Sequence, residues 1–267
     1  MKITTWNINS VRLRIDSVVQ FLEDEAPDVL CLQEIKCHTD QFPGKAFAAA
    51  GYPYHAVHGQ GGHHGVATVA KEPLKRVERL FLGGKEDARH VAATAANGVR
   101  VHNFYVPAGG DEPDPKTNEK FDHKLKYLAD IRDMGAVGPR TKSVLVGDLN
   151  VAPYEHDVWS HKQLLKVVSH TPVETELLSE VLEAGKWLDA ARELIPEPEK
   201  LYSWWSYRAK DWRAANRGRR LDHIWVSQAL KKAALKNGPE AMQFHTDCRG
   251  WERPSDHAPV SLTLALG

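Results

Sequence analysis

VAATAANGVRVHNFY, residues 91–105, decides the fold class. Residues 91–95 and 99–105 are two runs rich in β-formers, and Asn97-Gly98 between them suits a type I′ turn, whose two central residues both need positive φ. A hairpin here makes at least one sheet partly antiparallel, which argues against a purely parallel, doubly wound fold. Working outward, strand-like runs recur at 2–8, 28–33, 65–70, 143–146, 221–226 and 259–264. Between them, apolar residues fall at helical spacing. Ile15, Val18, Val19 and Leu22 form one set, stopped before Pro27, and Phe121, Leu125, Leu128 and Ile131 form another. Leu177, Leu178, Val181 and Leu182 suggest a third helix, and 229–235 a short fourth started by Ser227. The expected class is α/β, with mixed or antiparallel sheets covered by helices.

The ends of these strands are unusually polar. Asn7 and Asn9 follow the first, Glu34 the second and Tyr105 the hairpin; Asp148 and Asn150 follow 143–146, Asp222 opens 221–226, and PSDHAPV at 254–260 sets Asp256 and His257 before the last. Any one of these is an ordinary turn former or cap. As a set they can converge on one rim of a sheet, where packed strands hold side chains rigidly. Trp6-Asn7-Ile8-Asn9 and Gly147-Asp148-Leu149-Asn150 also echo each other, each ending a strand with two polar residues spaced by one, which an extended chain points to one face.

With 267 residues, 42% of them hydrophobic, and no Pro-, Gly- or Ser-rich linker, the chain reads as one domain, 1–267. Acids and bases balance at 35 each, so overall charge names no partner. Their distribution is uneven. Residues 208–220 carry six bases (Arg208, Lys210, Arg213, Arg217, Arg219, Arg220) against Asp211 alone, whereas 176–199 carry seven acids against two bases. A concentrated basic segment attracts a polyanion locally, since fields persist over about a Debye length, ~8 Å at physiological salt. Cys31, Cys37 and Cys248 are odd in number and lack metal-site spacing, so no disulfide framework is expected. No signal-like core and no long apolar run stand in the sequence, and the expectation is a soluble cytoplasmic protein without membrane contact.

WNINSVR at 6–12, PDVLCLQEIK at 27–36, YVPAG at 105–109, GDLNVAP at 147–153, SWWSYR at 203–208 with NRGRRLDHI at 216–224, and PSDHAPV together resemble the exonuclease III and abasic-site endonuclease family, within the deoxyribonuclease-I-like superfamily. The resemblance runs along essentially the whole chain. It implies a four-layered α/β sandwich, two packed sheets flanked by helices, and a monomer that cleaves DNA phosphodiesters with Mg²⁺ or Mn²⁺. Hard divalent cations prefer oxygen ligands, so Glu34 is the first choice for the metal, with Asn7, Asn9, Asp148, Asn150 and Asp256 in support. By motif position, His257 neutralises the phosphate, Asp222 orients its ring, Asn150 orients the nucleophile, and Asp148 and Tyr105 share the acid and base roles in an order left open. The positions of Trp204, Trp205 and Leu221 line the family's pocket for an extrahelical baseless sugar or a terminal nucleotide, with Arg89, Arg208 and Arg217 as DNA-facing cations.

In one place the chain departs from the family. The family pattern GFxPxE is replaced by Ser169-His170-Thr171-Pro172-Val173-Glu174, and a bulky His170 at the pocket mouth would hinder a flipped abasic nucleotide and leave 3′-end trimming dominant. Two competing readings are a phosphomonoesterase of the same superfamily, which would not need the Trp- and Arg-rich segment, and a catalytically silent nucleic-acid binder. The latter is disfavoured because clustered carboxylates repel a phosphate backbone unless a metal intervenes.

Overall fold

The computed structural model describes residues 1–266. Fourteen strands are present among them: β1 (Lys2–Asn7), β2 (Val29–Gln33), β3 (Tyr54–His58), β4 (Val66–Ala70), β5 (Lys75–Glu78), β6 (His90–Thr94), β7 (Arg100–Tyr105), β8 (Ser143–Asp148), β9 (Leu188–Asp189), β10 (Trp204–Trp205), β11 (Gly218–Arg219), β12 (Asp222–Val226), β13 (Met242–Phe244) and β14 (Val260–Thr263). The α-helices are α1 (Ile15–Glu25), α2 (Gly44–Ala49), α3 (Glu119–Asp133), α4 (His161–Leu164), α5 (Pro172–Ala184), α6 (Ala190–Leu194), α7 (Trp212–Ala215) and α8 (Lys231–Leu235). Two six-stranded mixed sheets run in the orders β13-β14-β1-β2-β4-β3 and β5-β6-β7-β8-β12-β9, and β10-β11 form a separate ribbon.

Strand alternation builds the layers. Ile3, Val29 and Cys31 of the first sheet meet Val101, Val144, Val146, Ile224 and Val226 of the second in one buried core. The intervening Leu30 and Leu32 point the other way, onto Val18, Phe21 and Leu22 of α1. On the far side Phe104, Leu145 and Trp225 pack under Tyr127, Leu128 and Ile131 of α3 and Leu178 and Val181 of α5. Each such aliphatic side chain contributes roughly 1.5–3 kcal/mol on full burial. The result is helix, sheet, sheet, helix: the four-layered sandwich. The three cysteines are buried thiols, and among the described residues no helix is long and apolar enough to cross a membrane.

The hairpin at 91–105 forms with its turn changed. The Ala95 amide donates to Val99 O and the Gly98 amide to Ala95 O, both at 2.9 Å, and Gly98 alone of the Asn97-Gly98 pair takes positive φ, 83°. This is a longer loop closed by a left-handed glycine in place of a two-residue type I′ turn. Sequence reading passes over β3, an edge strand half exposed along its length, over β5, all of which is exposed, and over β9, β10, β11 and β13, which are only two or three residues long.

The sequence echo corresponds to equivalent places in the two sheets. β1 lies between antiparallel β14 and parallel β2, and β8 lies between antiparallel β12 and parallel β7. Beyond each central strand the chain makes the same turn: Asn9 (φ 48°) donates its amide to Asn7 Oδ1 at 3.1 Å, and Asn150 (φ 53°) donates its amide to Asp148 Oδ1 at 3.0 Å. Asparagine tolerates this left-handed conformation better than most residues. Toward the same rim the inter-sheet packing turns polar. Gln33 Nε2 donates to Asn103 Oδ1 across the sheets at 2.7 Å, and Asn103 Nδ2 donates to Leu32 O and Ala67 O. These bonds satisfy buried amides where the apolar core ends and the rim begins.

Candidate active site

The two echoing turns bring Asn7 and Asp148 together, and Asn7 Nδ2 donates to Asp148 Oδ2 and to Glu34 Oε1, both at 2.9 Å. Glu34 leaves β2 in a left-handed conformation (φ 49°), as does Lys36 (φ 51°), so both side chains return to the rim. Glu34 Oε1 also accepts the Tyr105 hydroxyl at 2.9 Å; Lys36 Nζ lies 3.0 Å from Glu34 Oε2 and donates to Asn9 Oδ1 at 2.6 Å. Lys36 was not among the expected site residues, although it sits in the same LQEIK segment as Glu34.

Asp148 ends β8 just after Gly147, which has φ 143° and would drive a Cβ to 1.9 Å from Phe104 O on β7. The glycine of GDLN is therefore required by the close approach of the two strands. Asn150 Nδ2 donates to Asp148 Oδ2 at 3.1 Å and to Val106 O at 2.9 Å. On the other side His257 Nδ1 meets Asp222 Oδ2 at 2.8 Å, and its Nε2 lies 3.7 Å from Asp148 Oδ2. Asp222 is placed by Ser203, whose Oγ accepts the amides of Leu221 and Asp222 at 3.0 Å.

The electrostatics follow from this geometry. Burial pushes the Asp148 carboxyl up to about 7, against the opposing pull of His257. Burial works against charge on His257 too, but Asp222 and Asp148 on its two nitrogens overcome it and raise the imidazole to about 10, leaving it a cation. Burial and then Glu34 push the Tyr105 phenol well above its ordinary value, so it remains a hydrogen-bond donor. The ligand atoms of Asp148, Asp222 and His257 lie within 4.8 Å of one another. Because His257 is a cation between two carboxylates, this trio is an ion-paired relay, and its imidazole is a poor metal ligand. Oxygen donors suited to a hard divalent ion come instead from Glu34, Asn7, Asp148 and Asp256.

A cleft of about 590 Å³ opens over these groups, lined by Glu34, Asp148, Asn150, Asp256 and His257 together with Trp159, Trp204 and Leu221 and the cations Arg208, Arg217 and Arg219. Asp256 accepts Trp204 Nε1 at 2.9 Å and Asn9 Nδ2 at 3.3 Å. Three expectations need correction. Trp205 is 3% exposed, donates to Asn216 Oδ1 and packs on Trp212, so it is core and lines no part of the cleft. Arg89 lies behind the site, stacked on the Tyr105 ring and paired with Asp87. His170 is 2% exposed, its Nδ1 on Ala152 O at 2.6 Å and its Nε2 on His161 at 2.8 Å, and the residue that lines the cleft is its neighbour Ser169. Ser169 has φ 88°, a value that suits glycine, so it, not His170, occupies the glycine position of the family pattern.

A family model described as Endonuclease/Exonuclease/phosphatase family matches residues 4–257, nearly the whole chain and every residue of this rim. The chain belongs to this family. Exodeoxyribonuclease III of Haemophilus influenzae is 34% identical to it, over 97% of this chain and 98% of that one. Among solved structures, an AP endonuclease from Archaeoglobus fulgidus superposes with a TM-score of 0.90 at 31% identity, covering all of both chains. A 3′ phosphatase from Neisseria, bound to a product DNA hairpin, superposes with a TM-score of 0.86 at 33% identity over 99% of each chain. The family is divalent-metal dependent, and the oxygen donors of the present rim fit such an ion.

Proposed function

We propose that this chain is a DNA repair nuclease that hydrolyses phosphate esters at 3′ ends and 5′ to abasic sites, with Mg²⁺ or Mn²⁺. The observation that carries the reading is the relay Asp222–His257–Asp148, set beside Glu34 and Asn7 in a cleft also lined by tryptophan and arginine. A divalent ion held by Glu34, with Asn7 and Asp256 beside it, would neutralise charge on the phosphate oxygens. The residues divide the remaining work. Cationic His257 presents Nε2–H to a non-bridging oxygen, and Asp222 accepts from Nδ1–H and fixes the ring plane. Asp148, at about 7, exchanges a proton near neutral pH, while Asn150 and Asn7 hold its carboxylate in place. The raised phenol of Tyr105 favours Asp148 over Tyr105 as the group that moves the proton.

DNA is the partner this cleft suits, because arginines hold phosphates while tryptophan faces stack on bases or sugars. We place the enzyme in the cytoplasm as a monomer, and sedimentation of the free protein tests the latter. The functional test incubates the protein with nicked DNA bearing a 3′-phosphate, an abasic duplex, a recessed 3′-hydroxyl end and an inositol phosphate, each with Mg²⁺, Mn²⁺ or EDTA. Turnover of the DNAs alone, abolished by EDTA, is expected. Cleavage in EDTA, or preference for the inositol phosphate, would overturn the reading.

A further inference from the structure

Arg219 has an unusual place in the cleft. It stands directly opposite Trp204 in the β10–β11 ribbon, and its guanidinium lies 5.2 Å from the centre of the Trp204 ring. Nη1 donates to Val168 O at 3.0 Å and to Ser169 Oγ at 2.8 Å. Trp204 is itself held at its edge by Asp256 and bridged to His257, so its plane is fixed relative to the relay. The cation therefore rests on a flat aromatic face beside the reactive centre and is clamped there by a residue of a different loop. Arg217 is similarly stacked on Trp159, 4.8 Å from its ring centre. Both tryptophans that line the cleft are thus already stacked against by guanidinium groups.

We propose that the Arg219–Ser169 clamp sets substrate choice by occupying the stacking face of Trp204, favouring removal of a 3′-phosphate over cleavage beside a baseless sugar or a terminal nucleoside. The inference rests on the nuclease reading above. In every one of these hydrolyses water adds to phosphorus, the bond from phosphorus to the 3′-oxygen breaks, and that oxygen takes a proton to leave a 3′-hydroxyl. What differs is the group on the other side of the phosphorus. A baseless sugar or a nucleoside has to be accommodated next to the relay, where the Trp204 face is the natural platform. To use it, the ligand must displace a guanidinium that is stacked and hydrogen-bonded at two points. A 3′-phosphate brings no such group, is released as inorganic phosphate, and leaves the clamp undisturbed. Ser169 matters because its hydroxyl supplies the second acceptor, and glycine at this left-handed position would leave Nη1 with Val168 O alone.

The test measures kcat/KM of the parent, Arg219→Leu, Arg219→Lys and Ser169→Ala on three Mg²⁺-containing reactions: a nick bearing a 3′-phosphate, an abasic duplex and a recessed 3′-hydroxyl end. For Arg219→Leu the ratio of abasic-site cleavage to 3′-phosphate removal is expected to rise at least tenfold, and the exonuclease ratio to rise with it. Ser169→Ala, which removes one hydroxyl and no bulk from the core, is expected to move both ratios the same way by a few-fold and carries the test if Arg219→Leu fails to fold. Lysine, which cannot stack as a plane, should behave like leucine more than like arginine. A merely structural role would depress all three reactions together, and ratios that stay at the parent value or fall would overturn the proposal. A parent inert on all three DNAs would instead overturn the nuclease reading itself.

Discussion

At the scale of single residues, the rim of the cleft shows how a side chain's properties depend on its neighbours. Asp148 and Asp222 are both buried carboxylates against the same imidazole, yet one lies 2.8 Å from it and the other 3.7 Å. The closer one makes His257 a cation; the farther one, pushed up to about 7 by burial, is left able to give and take a proton. Exchange of Asp148 for Asn keeps the shape and the contact to Asn7 but removes the titratable group. Turnover on a 3′-phosphate nick is expected to fall at least a thousandfold while DNA affinity, read by gel shift, changes little; retained turnover would refute the assignment. Asp157 gives a second residue-scale expectation. Burial alone would raise its carboxyl, but Arg220 and Arg192 overcome this and hold it below the usual range. A depressed folded value stabilises the protein fully above the unfolded value of about 3.9, and that stability is lost as pH falls through the folded value. Asp157→Asn should therefore cost about 3–5 kcal/mol at pH 7 by urea denaturation, and its deficit should shrink at pH 3.

At the scale of elements, the cleft depends on a pair the sequence reading did not single out. Lys124 on α3 is fully buried and ion-paired with Glu174 on α5; its Nζ also donates to Asn150 O at 2.7 Å, and Glu174 accepts the Ser169 amide at 2.9 Å and the Thr171 amide at 3.1 Å. Two helices of the outer layer thereby tie down the loop after β8 and the loop before α5, which carry Asn150 and Ser169. Glu174→Gln leaves the ammonium buried without a counter-charge and is expected to lower stability by about 3–5 kcal/mol in thermal or urea unfolding. The double change Lys124→Met with Glu174→Leu removes the unpaired charge but leaves the Ser169 and Thr171 amides without an acceptor, and is expected to recover only part of that stability. If the cleft loops then loosen, turnover will remain low in the double variant despite its regained stability.

The elements also show what sequence could reveal. The eight interior strands are legible as short apolar, β-forming runs, and the polar residues at their ends are legible because turns rarely gather so many carboxylates and amides. The register of two sheets against each other carries no such local signal, so neither the Gln33–Asn103 bond nor the Lys124–Glu174 pair was foreseeable. His170 and Ser169 differ by one position, and only the backbone, left-handed at Ser169, decides which of them faces the cleft. Trp204 and Trp205 are likewise adjacent in a two-residue strand, where alternation sends one to the cleft and the other to the core.

For the whole molecule, the balanced charge conceals a division of labour. Of the six bases in 208–220, Arg208, Arg217 and Arg219 line the cleft, Arg220 is locked inside between Asp157 and Asp189, and Arg213 turns away to Asp247. Only cations that meet phosphate contribute to salt-sensitive binding, at about 0.9 in log–log slope per contact. The double variant Arg208→Ala with Arg217→Ala is expected to reduce the slope for duplex binding by roughly 2, whereas Arg213→Ala should leave it near the parent value. Equal effects from both variants would mean that the basic segment acts as a diffuse field and not through the cleft.

The bond between Asn7 and Asp148 joins residues 141 positions apart, and His257 reaches Asp222 from a segment that leads into β14, which pairs with β1 near the centre of its sheet. During synthesis Asn7 and β1 are therefore made well before Asp222 and His257. A ribosome-bound intermediate that has not yet released residues 254–263 has no relay and no partner strand for one side of β1. The ability to cut DNA is therefore expected to appear only after residues 254–263 are released and β14 pairs with β1.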